Sequence, residues 1–479
     1  MESTANAPGR IGALSAALAR PVPAHSLAVF RIALGALLVI DCWRFIRHDR
    51  IWRYFVQPDF HFSYPGFGWV APLPEPWIHL AWLAMGAFAA LVMLGLFYRV
   101  SVVALTGLFG YFFLLDRAEY LNHFYLVLLF LMLLCVLPAH RVWSLDAWRA
   151  GVRNGAPEPA TVPYAAVLVL RAQIEIMLVF AGLVKITPDW LAGEPLGLWL
   201  RSQADDVPLG WLFRYDAVIL AGTWGTIALH VVGAPLLLWR RTRLATFFVY
   251  CLFHSLNALF FNIGIFPWLT IAATTIFFAP DWPVRLMSRL TGRVREALPG
   301  PAAASASALP TGVLAALALW IAVQLFLPLR AGLFPTEVRW TGDGHELSWR
   351  MRIYDRAAEG RFYVSVPGGE TWEVDPEDFL TRRQTGKMLV RPDMIHQFAG
   401  HLDRLWREAG HGDVVVRADI RKSLNGRPPQ PFIDPTVDLS AVPYNHFGPD
   451  AWVLPLAVPR WGARDNRQAL AASPAGEEG

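Results

Sequence analysis

Nine apolar runs occupy most of the first 330 positions, at roughly 26 to 46, 76 to 98, 100 to 116, 120 to 138, 163 to 187, 216 to 239, 243 to 263, 265 to 281 and 309 to 329. A helix of about 17 to 25 apolar residues crosses a bilayer. The pattern therefore predicts a polytopic α-helical membrane bundle of about nine transmembrane helices. From Arg330 the pattern changes. Charges become frequent, and Gly-Gly, Pro-Gly and Asn-Gly turns separate short alternating runs such as Arg361 to Val366 and Val414 to Ile420, the period of a half-buried strand. Met394, Phe398, Leu402 and Leu405 recur at helical spacing within Pro392 to Glu408. A C-terminal soluble α+β domain rich in β-strands is expected, with one helix packed on the strands. The expected divisions are an N-terminal arm at 1–24, a membrane domain at 25–330, the soluble domain at 331–459 and a polar tail at 460–479. Ala302 to Ala308 links the eighth run to the ninth, and no internal repeat of fixed period is found.

Composition strengthens this reading. Of 479 residues, 55% are hydrophobic and 17% charged, against about 25% charged in soluble proteins. A soluble enzyme, a disordered chain and a coiled coil are excluded. The net charge of +4 is spread in short clusters at the ends of apolar runs, so nucleic-acid binding is not indicated. With the N-terminus inside, arginines in inner and outer loops number 13 to 7, which favours a cytoplasmic N-terminus and an extracytoplasmic soluble domain. Arginine is used almost to the exclusion of lysine, a bias that points to a GC-rich bacterial genome and so to an inner (cytoplasmic) membrane. The segment up to Ala24 has no cleavage site behind a proper apolar core and reads as an uncleaved cytoplasmic arm. Cys42, Cys135 and Cys251 each lie inside an apolar run, so neither a disulfide framework nor a metal site is expected.

Ionisable groups in hydrocarbon are costly and mark function by default. The fifth run holds Arg171, Gln173, Glu175 and Lys185. Arg171 and Glu175 are four apart and suit an ion pair on one helix face, whether structural or part of a site. Lys185 is the only lysine before Lys387 in a chain with 39 arginines and three lysines. A desolvated lysine loses its proton, whereas a guanidinium does not. Bringing its pKa from about 10.4 to about 7 corresponds to roughly 4 to 5 kcal/mol of differential solvation. A lysine near the end of its run also serves simply to reach the interface. His123, preceded by Asn122, opens the fourth run; His230 lies in the sixth; His254 lies in the seventh with Asn257 and Asn262. No HExxH or Cys/His ligand spacing accompanies them. Each histidine alone suits a packing role, and together with Lys185 they suit proton handling around an apolar ligand.

The chain resembles the vitamin K-dependent gamma-glutamyl carboxylases and the wider HTTM (horizontally transferred transmembrane) proteins. The resemblance is carried by L-G-L-F-Y-R-V-S at 94–101, F-L-L-D-R at 113–117, N-H-F-Y-L at 122–126, W-S-L-D at 143–146 and L-R-A-Q-I at 170–174. It continues through F-A-G-L-V-K at 180–185, D-W at 189–190, F-H-S-L-N at 253–257, A-P-D-W-P at 279–283 and L-F-L-P at 325–328. S-W at 348–349, then N-G-R followed by F-I-D-P-T-V-D between 425 and 438, complete it.

The resemblance implies an enzyme of the carbon–carbon lyase class. It would oxidise reduced vitamin K (the hydroquinone) with O2 to the epoxide and use the resulting strong base to add CO2 to glutamate side chains. Its partners would be a glutamate-containing peptide or protein, membrane lipid and a quinone-epoxide reductase. Lys185 falls at the family's catalytic base, and His123 with Asn122 at its quinol-assisting histidine. His254 is a further family histidine; with Asn257, Arg171 and Gln173 it makes up the candidate quinol-binding set. Arg427 falls at an arginine that orients the glutamate carboxylate, and Tyr354 where some members have a substrate-site histidine. Phe97 and Val102 replace cysteines of the animal pattern, which removes the disulfide implied there between membrane and soluble parts. Animal members also carry a long further C-terminal segment and bind a propeptide. A quinol epoxidase or monooxygenase without carboxylation is the alternative. A transporter or quinone-binding scaffold, with Lys185, Arg171 and Glu175 as a charge relay, is the second.

Overall fold

The computed structural model describes residues 10–154, 160–261, 263–292, 308–446 and 448–457. Asn262, the first nine positions, most of the Ala302–Ala308 linker and the 460–479 tail lie outside them. Apolar sequence becomes helix as expected: α1 (His25–Arg47), α2 (Trp77–Leu94), α3 (Tyr98–Leu115), α4 (Asn122–Val136), α5 (Tyr164–Leu183), α6 (Asp216–Leu238), α7 (Arg243–Phe260), α8 (Phe266–Thr274) and α9 (Thr311–Leu329). Seven are long and apolar enough to cross a membrane. The other two of the nine expected crossings fall on shorter apolar helices, α4 and α8. Helix α4 has 15 residues and α8 has nine, prolonged by a short 3-10 turn to Phe277. Each nonetheless runs the length of its neighbour: the Tyr98 hydroxyl at the start of α3 donates to the Leu134 carbonyl (2.7 Å) at the end of α4, and the Ser26 N–H at the start of α1 donates to the Pro280 carbonyl (3.0 Å) just past α8. Both are deeply buried, and protein at their flanks satisfies the backbone that lipid would not.

The recurring sequence runs meet where helices are tied together. Gly95 ends α2 in the left-handed region, φ +64°, where any Cβ would strike the Arg31 guanidinium. The Asp146 carboxylate of W-S-L-D then accepts the N–H groups of Phe97 (3.0 Å) and Tyr98 (2.8 Å), capping α3. Phe97 therefore lies at the start of α3, a helix length of about 27 Å from Asp116, where that helix meets the soluble part. The expected Arg171–Glu175 ion pair is also corrected. Arg171 donates to the carbonyls of Ile276 (2.9 Å) and Phe278 (2.9 Å), tying α5 to the end of α8.

Beyond α9, β3 (Arg356–Ser365), β4 (Thr371–Val374), β5 (Val415–Leu424) and β6 (Gln430–Pro431) form an antiparallel sheet in the order β4-β3-β5-β6. A separate two-stranded ladder, β1 (Pro21–Pro23) with β2 (Thr161–Pro163), joins the starts of α1 and α5. Two helices follow β4: α10 (Arg382–Met388) and α11 (Pro392–Glu408), the latter at the expected bounds. Met394, Phe398 and Leu402 of α11 bury against Phe362, Val364, Val416, Ala418 and Ile420 of the sheet. The alternation read in the strands is the one that faces them inward.

Ionic contacts join this sheet to the bundle. Arg117, just past α3, pairs with Glu346 (2.9 Å) and Asp393, both of which Arg391 also engages. Burial would raise the Asp393 carboxyl, but Arg117 and Arg391 outweigh it and hold it below the usual carboxylate range. Asp116 accepts from Gln384 (2.8 Å), Glu119 from Arg383 (2.6 Å), and the Tyr120 hydroxyl from the Leu347 N–H (2.8 Å). Arg117→Ala leaves two buried carboxylates sharing one cation. A loss of about 3 kcal/mol or more is expected in denaturant unfolding followed by tryptophan fluorescence.

Candidate functional site

A cavity of about 1190 Å3 lies between the bundle and the C-terminal sheet region. Lys185, His123, Asn122, His254, Asn257 and Tyr354 all line it, although as many as 232 positions separate them (122 to 354). Arg171, Gln173 and Arg427 do not.

The local sequence explains how Lys185 arrives there. Gly182 of F-A-G-L-V-K has no room for a side chain: a Cβ would come within 2.7 Å of His230 and 2.8 Å of Val231. The close approach packs α5 against a π-turn, Leu229–Gly233, in α6. That turn ends two residues before Pro235, whose ring would clash with a regular helix and whose missing N–H would leave a carbonyl without its donor. It also turns His230 into the cavity, with Nδ1 held 2.8 Å from the Thr226 carbonyl. Two residues past the end of α5, Lys185 is 5% exposed. Its Nζ donates to the carbonyls of Ala181 (2.9 Å) and Met351 (3.1 Å) and sits 5.2 Å from the Trp190 ring. No carboxylate among the described residues answers its charge, and burial pushes the amine down to about 7.

His123 and Asn122 open α4 at the cavity wall. The Asn122 carbonyl oxygen accepts from the Tyr120 hydroxyl (3.1 Å), and its amide reaches the Arg350 carbonyl (3.4 Å). His254 is 2% exposed, stacked 6.0 Å from Tyr250, and neither ring nitrogen has a hydrogen-bond partner among the described residues. Asn257, one turn on, bonds back to the Phe253 carbonyl (2.9 Å).

The opposite wall is cationic. Arg350, Arg352 and Arg356 alternate along S-W-R-M-R-I-Y-D-R and are joined there by Lys387 and Arg391. Arg350 donates to the Tyr354 hydroxyl (2.6 Å) and keeps its Nε buried without a partner. Arg356 lies 4.1 Å over the Tyr354 ring. Burial, and then the nearby Arg356, Arg391, Arg350 and Lys387, hold His345 well below the usual histidine range, so its ring is neutral.

Three expected site residues are engaged elsewhere than on the cavity lining. Gln173 is fully buried between helices, accepting from Trp320 (3.0 Å) and donating to Gln324 (3.3 Å), and Arg171 is held as described above. Arg427 grips Asp189 with two parallel bonds of 2.7 and 2.8 Å. The turn that aims it uses Asn425 (φ 51°) and Gly426 (φ 75°), the left-handed pair for which Asn-Gly is suited. Asn425 itself donates to Asp189 (2.8 Å) and exchanges two bonds with Asp355. Burial would raise the Asp189 carboxyl, but Arg427 and Asn425 outweigh it and hold it below its ordinary value. N-G-R and D-W thus form a latch next to Lys185.

Sequence reasoning missed Asp41, which lines the cavity 3.6 Å from Arg44; an acid inside the first apolar run was the available signal. It missed the arginine wall too, although the alternation at 350, 352 and 356 was present. Among the described residues no His/Cys/Asp/Glu group is arranged to hold a metal. Residues 19–282 match the family described as HTTM domain, and residues 310–458 the family described as Vitamin K-dependent gamma-carboxylase, lumenal domain. No solved structure matches the chain.

Proposed function

Because the chain belongs to the HTTM family of vitamin K-dependent gamma-carboxylases, we propose that it carboxylates glutamate side chains with reduced vitamin K, O2 and CO2, coupled to quinol epoxidation. One observation carries this reading: a single cavity has a desolvated amine on its membrane wall and a row of arginines on its soluble wall.

The membrane wall fits a quinol. It is largely apolar, yet the unpartnered nitrogens of His254 and the amine of Lys185 face a space large enough for a fused ring. When bound, reduced vitamin K supplies with O2 a base far stronger than any side chain, as removal of a glutamate γ-proton requires. Lys185 Nζ takes a proton from a ring hydroxyl, and the carbonyls of Ala181 and Met351 receive the ammonium that forms. His123 and Asn122 hold the second ring oxygen. The burial of Lys185, 5% exposed, keeps bulk water from its amine. On the other wall, Arg350, whose Nε has no partner among the described residues, takes the glutamate carboxylate, the role that Arg427, bound to Asp189, and Arg356, bound to the Arg339 carbonyl (2.6 and 3.1 Å), are too engaged to fill. The arginine bias of the loops and the lumenal-domain match support an extracytoplasmic position for this wall.

Lys185 acts as the neutral amine, so activity is lost as pH falls through its folded pKa. The apparent second-order rate constant of epoxide formation is expected to drop about tenfold per pH unit below about 7, measured as a pH–rate profile. The reading as a whole is tested by incubating purified protein with reduced vitamin K, O2, labelled CO2 and a glutamate peptide. Label in the peptide together with epoxide is expected. Epoxide without label across several peptides assigns the epoxidase alternative, and neither product overturns the reading.

A further inference from the structure

Behind the wall that carries His123, α1 to α4, with Tyr54, Phe55 and Glu119, line a second and much smaller cavity of about 40 Å3. Its lining includes Leu38, Cys42, Trp82, Met85, Leu105 and Phe109, and polar side chains enter it only at Asp41, Tyr54 and Glu119. Those three, with Phe45 and Phe124, also line the large cavity, so the two spaces meet along that rim. Phe124 stands at the junction, its ring 4.7 Å from His123 and 5.9 Å from Phe109.

Size and chemistry narrow the occupant. One water needs about 10 to 15 Å3 of such space and two to four polar partners. The cavity therefore has room for a few atoms, not for a fused ring, a prenyl chain or a peptide, and away from its rim it offers water nothing to bond. Apolar cavities of this kind stay dry and accept xenon-like guests. The walls are interlocked rings: Phe45 stacks on Trp82 at 4.6 Å, Trp82 meets Phe112 edge-on at 4.7 Å, and Phe55 lies 5.6 Å from Phe112. Rigid rings in mutual contact do not collapse to close the void. We propose that this cavity is a binding site for a small apolar gas used by the reaction, O2 or CO2, held one aromatic ring away from His123. The assignment rests on the quinol-dependent reading above.

The test uses the full chain in lipid nanodiscs with methionine methyl groups labelled with 13C. Met85 lines the cavity, whereas Met388 is fully buried in the soluble core and serves as the reference. Dissolved O2, which is paramagnetic, is expected to relax the Met85 methyl more than that of Met388 if O2 is the guest. Pressurised CO2 is expected to shift the Met85 signal selectively if CO2 is. Cys42→Leu and Leu105→Phe, two independent fillings, should abolish the response. They should also raise the apparent KM for that gas about threefold to tenfold, the scale of one or two methylene-sized contacts, with the quinol KM unchanged. No selective response to either gas in the unaltered protein overturns the proposal, as does a response whose loss leaves both gas KM values unchanged. Absence of any quinol turnover overturns the reading of the reaction instead, and the methyl response alone then decides whether the gas site exists.

Discussion

A Lys185→Met variant is expected to lose epoxide formation by about 10^2- to 10^4-fold, the contribution of a positioned general base, while becoming more resistant to unfolding. Both effects follow from one cause. The amine is buried with only two carbonyls to receive its protons, and its pKa falls to about 7. In the unfolded chain it returns to about 10.4. Between those values the unfolded state binds the extra proton, so stability rises with pH across that window. Below pH 7 the folded protein carries the buried charge at its full cost, several kcal/mol in order of magnitude. Methionine removes that cost without leaving a void. The gain in thermal midpoint should be largest at pH 6 and fade towards pH 10. Lys185→Arg separates charge from proton transfer: it keeps the cation, cannot give up its proton, and is expected to be as inactive as the methionine variant. An active arginine variant would exclude Lys185 as a base.

Arg427→Leu is expected to cost about 2 to 3 kcal/mol of unfolding free energy, because it strips the bidentate partner from a buried Asp189 and leaves it only Arg339, at 3.3 Å, as a cation. The double variant Asp189→Leu with Arg427→Leu should recover part of that loss, since it removes the under-paired carboxylate while Arg339 keeps Glu337. Denaturant unfolding of the four members of the cycle measures the coupling. The same variants distinguish two roles for Arg427. As a latch it holds Asn425 and Asp355 beside the loop that follows Lys185, so its loss lowers stability and slows quinol oxidation even without peptide. As a carboxylate receptor it would raise the KM for the glutamate peptide and leave stability unchanged. Its engagement with Asp189 predicts the first outcome, whereas Arg350→Ala should raise the peptide KM with little effect on quinol oxidation alone.

The bounds of α11, the alternation of β3 and β5 and the long apolar helices were readable because each depends on neighbours within one or two turns. Membership of Lys185, His123, His254 and Tyr354 in one cavity was readable through the resemblance. What could not be read was pairing across the chain. Arg427 finds Asp189 238 positions away, and Arg171 finds carbonyls at Ile276 and Phe278 in preference to the carboxylate one turn along its own helix. A helical wheel offers Arg171 only Glu175; the fold offers two fixed acceptors that need no desolvation of a second charge. Helices α4 and α8 are also shorter than the apolar runs that hold them. Hydropathy continues past their ends into buried loops, so an apolar run does not by itself fix where its helix stops.

The central claim is that the Lys185 amine is uncharged near neutral pH and faces the quinol. With three lysines in the chain, a 13C NMR titration of ε-13C-lysine-labelled protein measures it directly, Lys185 being the resonance missing from Lys185→Met. The account predicts a midpoint near 7 that moves when reduced vitamin K is added under argon. A Lys185 signal that stays fully protonated through pH 9, with or without the quinol, would contradict it.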